Sequence, residues 1–168
     1  MTAAILCPGP SLLRSFAASD YAGLRIGVNR AATALACDWW AACDMPLIRS
    51  QWPHVIGTPR LFTIRATRDS LVRRGYPEPN RLTDDLCRYC PEALRWCAFT
   101  ATSALVLAGH LGATQIDVFG ADWTDAPDFD GVMVEGCRRN EQRWADERCV
   151  WGDVVSFLAE RGVTVERR

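Results

Sequence analysis

The sequence predicts an α/β fold, a mostly parallel sheet with helices on both faces, and three observations carry that prediction. Short apolar runs alternate with helix-patterned stretches along the chain, the trace left by parallel strands and their crossover helices. The two longest helical stretches, 100–111 and 140–160, repeat apolar residues at three- and four-residue spacing. The 168 residues are 49% apolar, enough for one well-buried core, since a chain near 150 residues hides about 70% of its unfolded surface. A single Rossmann-like domain over 1–168 is therefore expected.

Each element has its own signal. Residues 3–7 form an apolar first strand that runs directly into Pro8-Gly9-Pro10-Ser11. Pro10 is preset for a helix entry and Ser11 can cap it, which places a helix over 11–18. The second strand, 25–29, ends in Asn29 and leads to a short helix over 30–35. The third, 39–44, ends in Asp44. The fourth, 60–64, precedes a helix over 68–74. The stretch 75–91 carries Pro77, Pro79 and Pro91 and reads as an irregular excursion. The fifth strand, 115–119, follows the 100–111 helix. A second excursion over 123–136 leads to the final helix and a last strand at 163–166. No internal repeat or low-complexity tract is present.

Charge narrows the chemistry. The 19 basic residues are all Arg. Without a lysine the chain cannot use a Walker-type phosphate loop, a Schiff-base nucleophile or pyridoxal phosphate. Any bound anion must be held by Arg, backbone N–H groups and helix N-termini. A net charge of -1 gives no electrostatic footprint for duplex DNA. The longest apolar run, 101–111, is about half of the roughly 20 residues that span a bilayer. No basic leader opens the chain, and a cytoplasmic protein without a membrane span is expected. The eight cysteines are expected to be thiols. Cys87-x-x-Cys90 and Cys97 offer zinc three of its four ligands, but no second close pair supplies the fourth. Cys7 and Cys43 read as core.

Several segments could carry chemistry. The strand–turn–helix at Gly9, Pro10 and Ser11 suits nucleotide phosphates, or it is only a capped turn. It is not G-x-G-x-x-G, which disfavours a dinucleotide cofactor. Asn29 and Asp44 close neighbouring strands at the same sheet edge, where they can read a base or ribose or act as N-caps. Thr100, with Thr102 and Ser103, opens a helix that offers a second anion site, or the hydroxyls serve only as a capping motif. His110 falls near that helix's end, where it is expected to face solvent or to favour the helix C-terminus as a cation. Asp122 is the carboxylate nearest the sheet edge and is chosen as base, ribose ligand or metal ligand. It begins an acidic stretch with Asp125, Asp128, Asp130 and Glu135. No Arg lies between Trp96 and Cys137, while six carboxylates do, counting Asp117. The other five are expected to be solvated. A divalent metal or Arg138, Arg139 and Arg143 would offset the patch. Arg143 and Glu147, at i, i+4, read as a surface ion pair.

Four segments in order, CPGPSLLRS, IGVNRAA, DWWAACDMP and TATSALVLAGHLGATQIDVFGADW, resemble the Rossmann-like family shared by bacterial family forty-two sialyltransferases and archaeal 6-hydroxymethylpterin diphosphokinase-like proteins. Small phage-encoded proteins are similar too. The likeness covers residues 3 to about 123. It implies that Gly9, Pro10, Ser11, Asn29, Asp44 and Thr100 line a nucleotide site. The sialyltransferases use a His base after the Gly-x-Asp strand, and this chain has none beyond His110. A carboxylate, Asp122 or a loop acid, would then deprotonate the acceptor, with Arg138, Arg139 or Arg143 at the leaving phosphate. The expected function is a nucleotide-binding transferase, a glycosyltransferase using a nucleotide-activated sugar and a hydroxyl acceptor. The alternatives are a pterin-type diphosphokinase using ATP and magnesium, and a phage-type binding module that kept the fold without the chemistry. Lacking a lid domain, such an enzyme would complete its acceptor side with a homo-oligomer or a large acceptor.

Overall fold

The computed structural model describes residues 1–16, 21–76, 89–90, 99–133 and 140–168. Six strands, β1 (Thr2–Leu6), β2 (Leu24–Val28), β3 (Trp39–Ala41), β4 (Arg60–Phe62), β5 (Gln115–Phe119) and β6 (Thr164–Arg167), form one sheet in the order β4-β3-β2-β1-β5-β6. Every pairing is parallel. The chain leaves β1 in one direction, through β2 and β3 to β4, then returns across the sheet to lay β5 on the other side of β1. That reversal opens a crevice beyond the C-terminal ends of β1 and β5, the usual ligand position in open α/β sheets.

Period-two alternation along each strand feeds two apolar layers. Ala3, Ile5 and Cys7 face one side with Ile26, Val28, Trp39, Ala41 and Phe62. Ala4 and Leu6 face the other, against Leu12, Phe16 and Phe119. The first layer is covered by α4 (Thr100–His110) and α5 (Glu141–Ala159). Residues 101 to 108 of α4 are all buried, as befits a helix that is apolar all round. On the opposite face lie α1 (Leu12–Phe16), α2 (Met45–Gln51) and α3 (Arg65–Arg73). Among the described residues, no helix is long and apolar enough to cross a membrane.

Several local expectations are corrected. The predicted helix over 30–35 is a 3-10 helix at Asn29–Thr33. Its first residue has φ 50, and Ala32 packs so closely on Gly27 that a Cβ there would lie 3.1 Å from the Ala32 Cβ. α2 follows Asp44 directly, with proline in its first turn, a start signal the sequence reading passed over. A short 3-10 turn at Trp52–His54 follows it. α3 begins at Arg65, three residues before the expected start. β3 and β4 end at Ala41 and Phe62, and beyond them the Thr67 hydroxyl donates to the Cys43 carbonyl at 2.6 Å. α1 is described only to Phe16. The 75–91 excursion falls largely outside the described residues.

β1 and β5 continue as backbone against backbone past their ends. The Cys7 N–H donates to the Phe119 carbonyl at 2.8 Å, and the Gly9 N–H to the Gly120 carbonyl at 3.0 Å. A Cβ on Gly9 would lie 2.3 Å from the Gly120 oxygen, and one on Gly120 would lie 2.3 Å from the Cys7 oxygen. Gly120 also has φ 69, a region costing an L-residue about 1–2 kcal/mol. Gly112 shares the left-handed conformation, at φ 89, but has open space around it. Gly120→Ala is therefore expected to destabilise the fold clearly more than Gly112→Ala, which should lose only the about 1–2 kcal/mol of the backbone conformation. Equal losses in denaturant melts would contradict the close approach.

Candidate functional site

A cavity of about 230 Å³ opens at the C-terminal edge of the sheet, where β1, β2, β3 and β5 meet the N-termini of α4 and α5. Gly9, Pro10, Asn29, Asp44, Thr100, Asp122 and Arg143 all line it. Ser11 stands behind the wall, bonded to Asp122. Arg139 and Arg138 lie outside the described residues, as do Glu135 and the Cys87 and Cys97 of the zinc option. Cys90 is fully buried, and among the described residues no group of three or more His, Cys, Asp or Glu is placed to hold a metal.

The glycine turn does not offer phosphate-binding N–H groups. Pro8 and Pro10 have none, and the Cys7 and Gly9 N–H groups are spent on β5 and its following loop. The Ser11 N–H donates to Asp122 Oδ2 at 2.8 Å, the Ser11 hydroxyl to Asp122 Oδ1 at 2.6 Å, and the Leu12 N–H to the Gly9 carbonyl at 3.1 Å. α1 is described over five residues, Leu12–Phe16. Gly9 and Pro10 therefore contribute shape. Asp122, with an oxygen on each Ser11 donor, braces the turn against the β5 loop.

Asn29 and Asp44 are free of the capping duties that competed for them. Asp44 is the N-cap residue of α2, yet its carboxylate makes no cap bond. Asn29 accepts from the Trp40 indole through its backbone carbonyl at 2.8 Å. Its side-chain Oδ1 is buried without a partner among the described residues. A buried polar atom of this kind calls for a donor. At the start of α4, the Thr102 and Ser103 hydroxyls turn back onto the Phe99 carbonyl at 2.8 and 3.0 Å. Phe99, the N-cap, has no side chain to cap with. The Thr100–Ala101 end thus meets the cavity with its helix dipole and no side-chain cap. His110 is half-buried, with its ring 5.2 Å from that of Tyr89.

Asn140 accepts from the Arg143 N–H at 2.9 Å and so starts α5. The Arg143 guanidinium lies over Phe99, 5.4 Å from its centroid, and beside Trp144 at 5.8 Å. Stacking fixes the group while leaving its edge donors free. One turn on, Glu147 is buried and also lines the cavity. The expected surface pair is thus a stacked cation and a buried carboxyl. Burial pushes the Glu147 pKa up, and the Arg143 charge and, to a lesser extent, the nearby Trp123 side chain pull against that rise. Cys7 lines the same wall, where burial and then the Glu147 and Asp122 charges raise its thiol pKa, leaving a protonated thiol. Cys43 also lines the cavity, half-buried, rather than sitting in the core.

The acidic loop is not uniformly solvated as expected. Arg30, at the end of β2, pairs with Asp130 and lies 3.8 Å from buried Asp128. The Phe129 N–H donates to the Pro8 carbonyl at 3.0 Å, and the Trp144 indole donates to Asp125 at 3.1 Å. Asp117, in the middle of β5, is buried, bonded by Arg168 at 2.9 Å and by the Tyr21 hydroxyl at 3.2 Å. Sequence reasoning missed Arg30, Phe99, Trp123, Trp144 and the burial of Glu147. The i, i+4 spacing from Arg143 was the one available signal for Glu147.

Comparison with protein-family models, with curated proteins and with solved structures finds no match to this chain.

A raised carboxyl pKa in the native state links stability to pH with a definite sign. The folded protein holds the Glu147 proton more tightly than the unfolded chain does. The resulting stability is complete below the ordinary carboxyl pKa and is lost as pH rises through the raised native value. The stability difference between the wild type and Glu147→Gln, measured in urea across that window, should shift in favour of the variant as pH rises. A difference independent of pH would place Glu147 in solvent.

Proposed function

We propose that the chain is a nucleotide-binding transferase that moves a sugar from a nucleotide-activated donor to a hydroxyl acceptor. The observation that carries this reading is the pairing, one turn apart on α5, of a buried carboxyl and a stacked guanidinium in a cavity at the sheet's reversal point. Activated-sugar transfer needs a base for the acceptor and positive charge at the departing phosphate. Glu147 and Arg143 supply the two within one wall.

In the step so assigned, the acceptor hydroxyl gives its proton to Glu147 as its oxygen bonds the anomeric carbon. The bond from that carbon to the phosphate oxygen breaks, and the electron pair leaves with the nucleotide. Arg143 and the dipole of the uncapped α4 start receive the new charge. A raised pKa makes Glu147 a stronger base than an exposed carboxylate. Asn29 Oδ1 and the uncapped Asp44 carboxylate are acceptors for hydroxyl or amino groups of the nucleoside. Asp122, engaged by Ser11, is assigned the positioning of the glycine wall.

A diphosphokinase working through magnesium–ATP would draw on the acidic loop for its metal. Asp122 is bonded by Ser11 and Asp128 and Asp130 face Arg30, which favours the transferase. A binding module has no use for a carboxyl held against its own desolvation.

Isothermal titration with CMP, UDP, GDP and ADP and their sugar conjugates, with and without magnesium, tests the reading. At least one is expected to bind in the micromolar range. Arg143→Gln should weaken that binding about tenfold or more, the worth of a charge-assisted hydrogen bond. Glu147→Gln should leave binding in place and lower transfer about 10²- to 10⁴-fold. Absence of binding by every nucleotide would sink the proposal.

A further inference from the structure

Six Arg residues, Arg49, Arg60, Arg65, Arg68, Arg73 and Arg74, fall within residues 45–76 against a single acid, Asp69. That stretch carries a net +5 in a chain whose total is -1, so the overall balance hides a strongly basic region. The fold keeps it together. Arg60, at the start of β4, lies over Trp39 on the α4 side of the sheet. The other five belong to α2, α3 and the α3 C-cap, and those two helices touch on the opposite face. Arg49, Arg65, Arg73 and Arg74 are exposed, and Arg49, Arg73 and Arg74 make no ion pair among the described residues. Local stability does not account for the arrangement at the top of α3. Its first turn holds no acid and its N-cap, Ile64, no capping side chain, yet Arg65 and Arg68 add cations to a helix end that is already positive. Asp69 is taken by Arg68, at 3.4 Å.

At the foot of the same face, Trp52 and Tyr76 meet with ring centroids 5.4 Å apart and planes at 65°, both half-buried. Trp52 lies one turn after Arg49 and Tyr76 two residues after Arg74, so the ring pair joins the ends of α2 and α3 with guanidiniums on either side. At the head of the face, the Thr67 hydroxyl holds α3 to the Cys43 carbonyl at 2.6 Å, beside the cavity wall.

We propose that the outer face of α2 and α3 docks a single-stranded nucleic acid, with phosphates on Arg49, Arg65, Arg73 and Arg74 and a base on the Trp52 and Tyr76 rings. The inference goes beyond the transferase reading and needs no sugar donor. Planar guanidinium forks match phosphate oxygens, and a positive track with aromatic rings set along it suits a strand whose bases are free to stack. A duplex keeps its bases inside and would leave the rings unused. An anionic membrane needs apolar area to enter it, and of the exposed large hydrophobic residues only Ile56 and Val72 belong to this region. A second copy of the chain would have to offer unpaired acids, but Asp117 is held by Arg168, Asp128 and Asp130 face Arg30, and Glu141 is held by Arg148.

The test is fluorescence anisotropy of the full chain with a labelled oligodeoxythymidine of about 20 nucleotides, longer than one site of about 4–16. Micromolar binding is expected at about 50 mM salt, with log K falling against log salt at a slope of about -2 to -3, as three or four phosphate contacts require. Arg49→Gln combined with Arg73→Gln should weaken binding about tenfold or more and flatten the slope by about 1.4. Tyr76→Leu keeps an apolar contact but removes the stacking face, and should weaken binding several-fold at an unchanged slope. Asp69→Asn removes the one acid of the face and should tighten binding, a gain that misfolding cannot imitate. Arg148→Gln, on α5, should leave binding little changed. Absence of binding at low salt overturns the proposal, as does a loss in Arg148→Gln equal to that of the paired Arg variant. Stronger capture by phosphatidylserine vesicles than by the oligonucleotide would assign the face to a membrane. A dimer in sedimentation that the paired Arg variant dissociates, without oligonucleotide binding, would assign it to a second copy. Either result overturns the nucleic-acid partner.

Discussion

The close approach of the Gly9 and Gly120 backbones is the constraint on which the site depends. β1 and β5 are neighbours in the sheet but far apart in sequence, and their loops leave the sheet side by side with no room for a Cβ between them. That contact consumes the donors of the first turn, brings Asp122 onto Ser11, and turns the chain after Gly120 so that Trp123 reaches back toward α5. The cavity is the space left when the two loops are locked together and α4 and α5 close the face above. Widening the approach by one methyl group would move the walls of the whole site.

The locked turn redistributes the work of binding an anion. A glycine turn after β1 normally serves phosphate through its amides, but here every amide from Cys7 to Leu12 is absent or already paired. Positive potential comes instead from across the crevice, at the first turn of α4 and at Arg143. The acceptors collect on the near side, at the ends of β2 and β3. A ligand spanning the cavity would meet hydrogen-bond acceptors at one end and cationic donors at the other, the polarity of a nucleoside joined to its phosphate.

The sheet was legible because its inner strands are buried on both faces, and burial writes itself as short, continuous apolar runs. Leu24 to Val28 and Gln115 to Phe119 needed nothing beyond hydrophobicity and the turn residues beside them. Element ends were less legible, since a parallel strand stops where its neighbour stops pairing, which is a property of two segments at once. Asn29 illustrates the limit: its position at the end of β2 could be read, but not its left-handed conformation or the 3-10 turn that follows, which packs Ala32 against Gly27. The candidate residues of the sheet edge fell together for a simple reason, that C-terminal ends of parallel strands share one edge. Their roles did not follow from position. Whether Asp122 is a base or a brace depends on what its oxygens touch, and the partner, Ser11, lies more than a hundred residues away in sequence. Glu147 was misplaced because an i, i+4 pair on a helix looks the same whether that face meets water or the end of a sheet.

The absence of lysine gives the two cavity guanidiniums their distinct characters. Arg30 and Arg143 both line the site, yet Arg30 is committed to Asp128 and Asp130 and so serves to fold the acidic loop onto the glycine turn. Arg143 is held by the faces of Phe99 and Trp144, contacts that restrain a planar cation without using its edge donors. An ammonium in that place would have no plane to stack and would swing free on its stem. Among the described residues, Arg143 is thus the cavity cation whose donors are both fixed in direction and unspent, while its field falls on a carboxyl one turn away. The same guanidinium that would receive a leaving phosphate also restrains the pKa of Glu147 from rising further. Binding an anion at Arg143 would draw that field away and make the carboxyl a stronger base at the moment its substrate arrives.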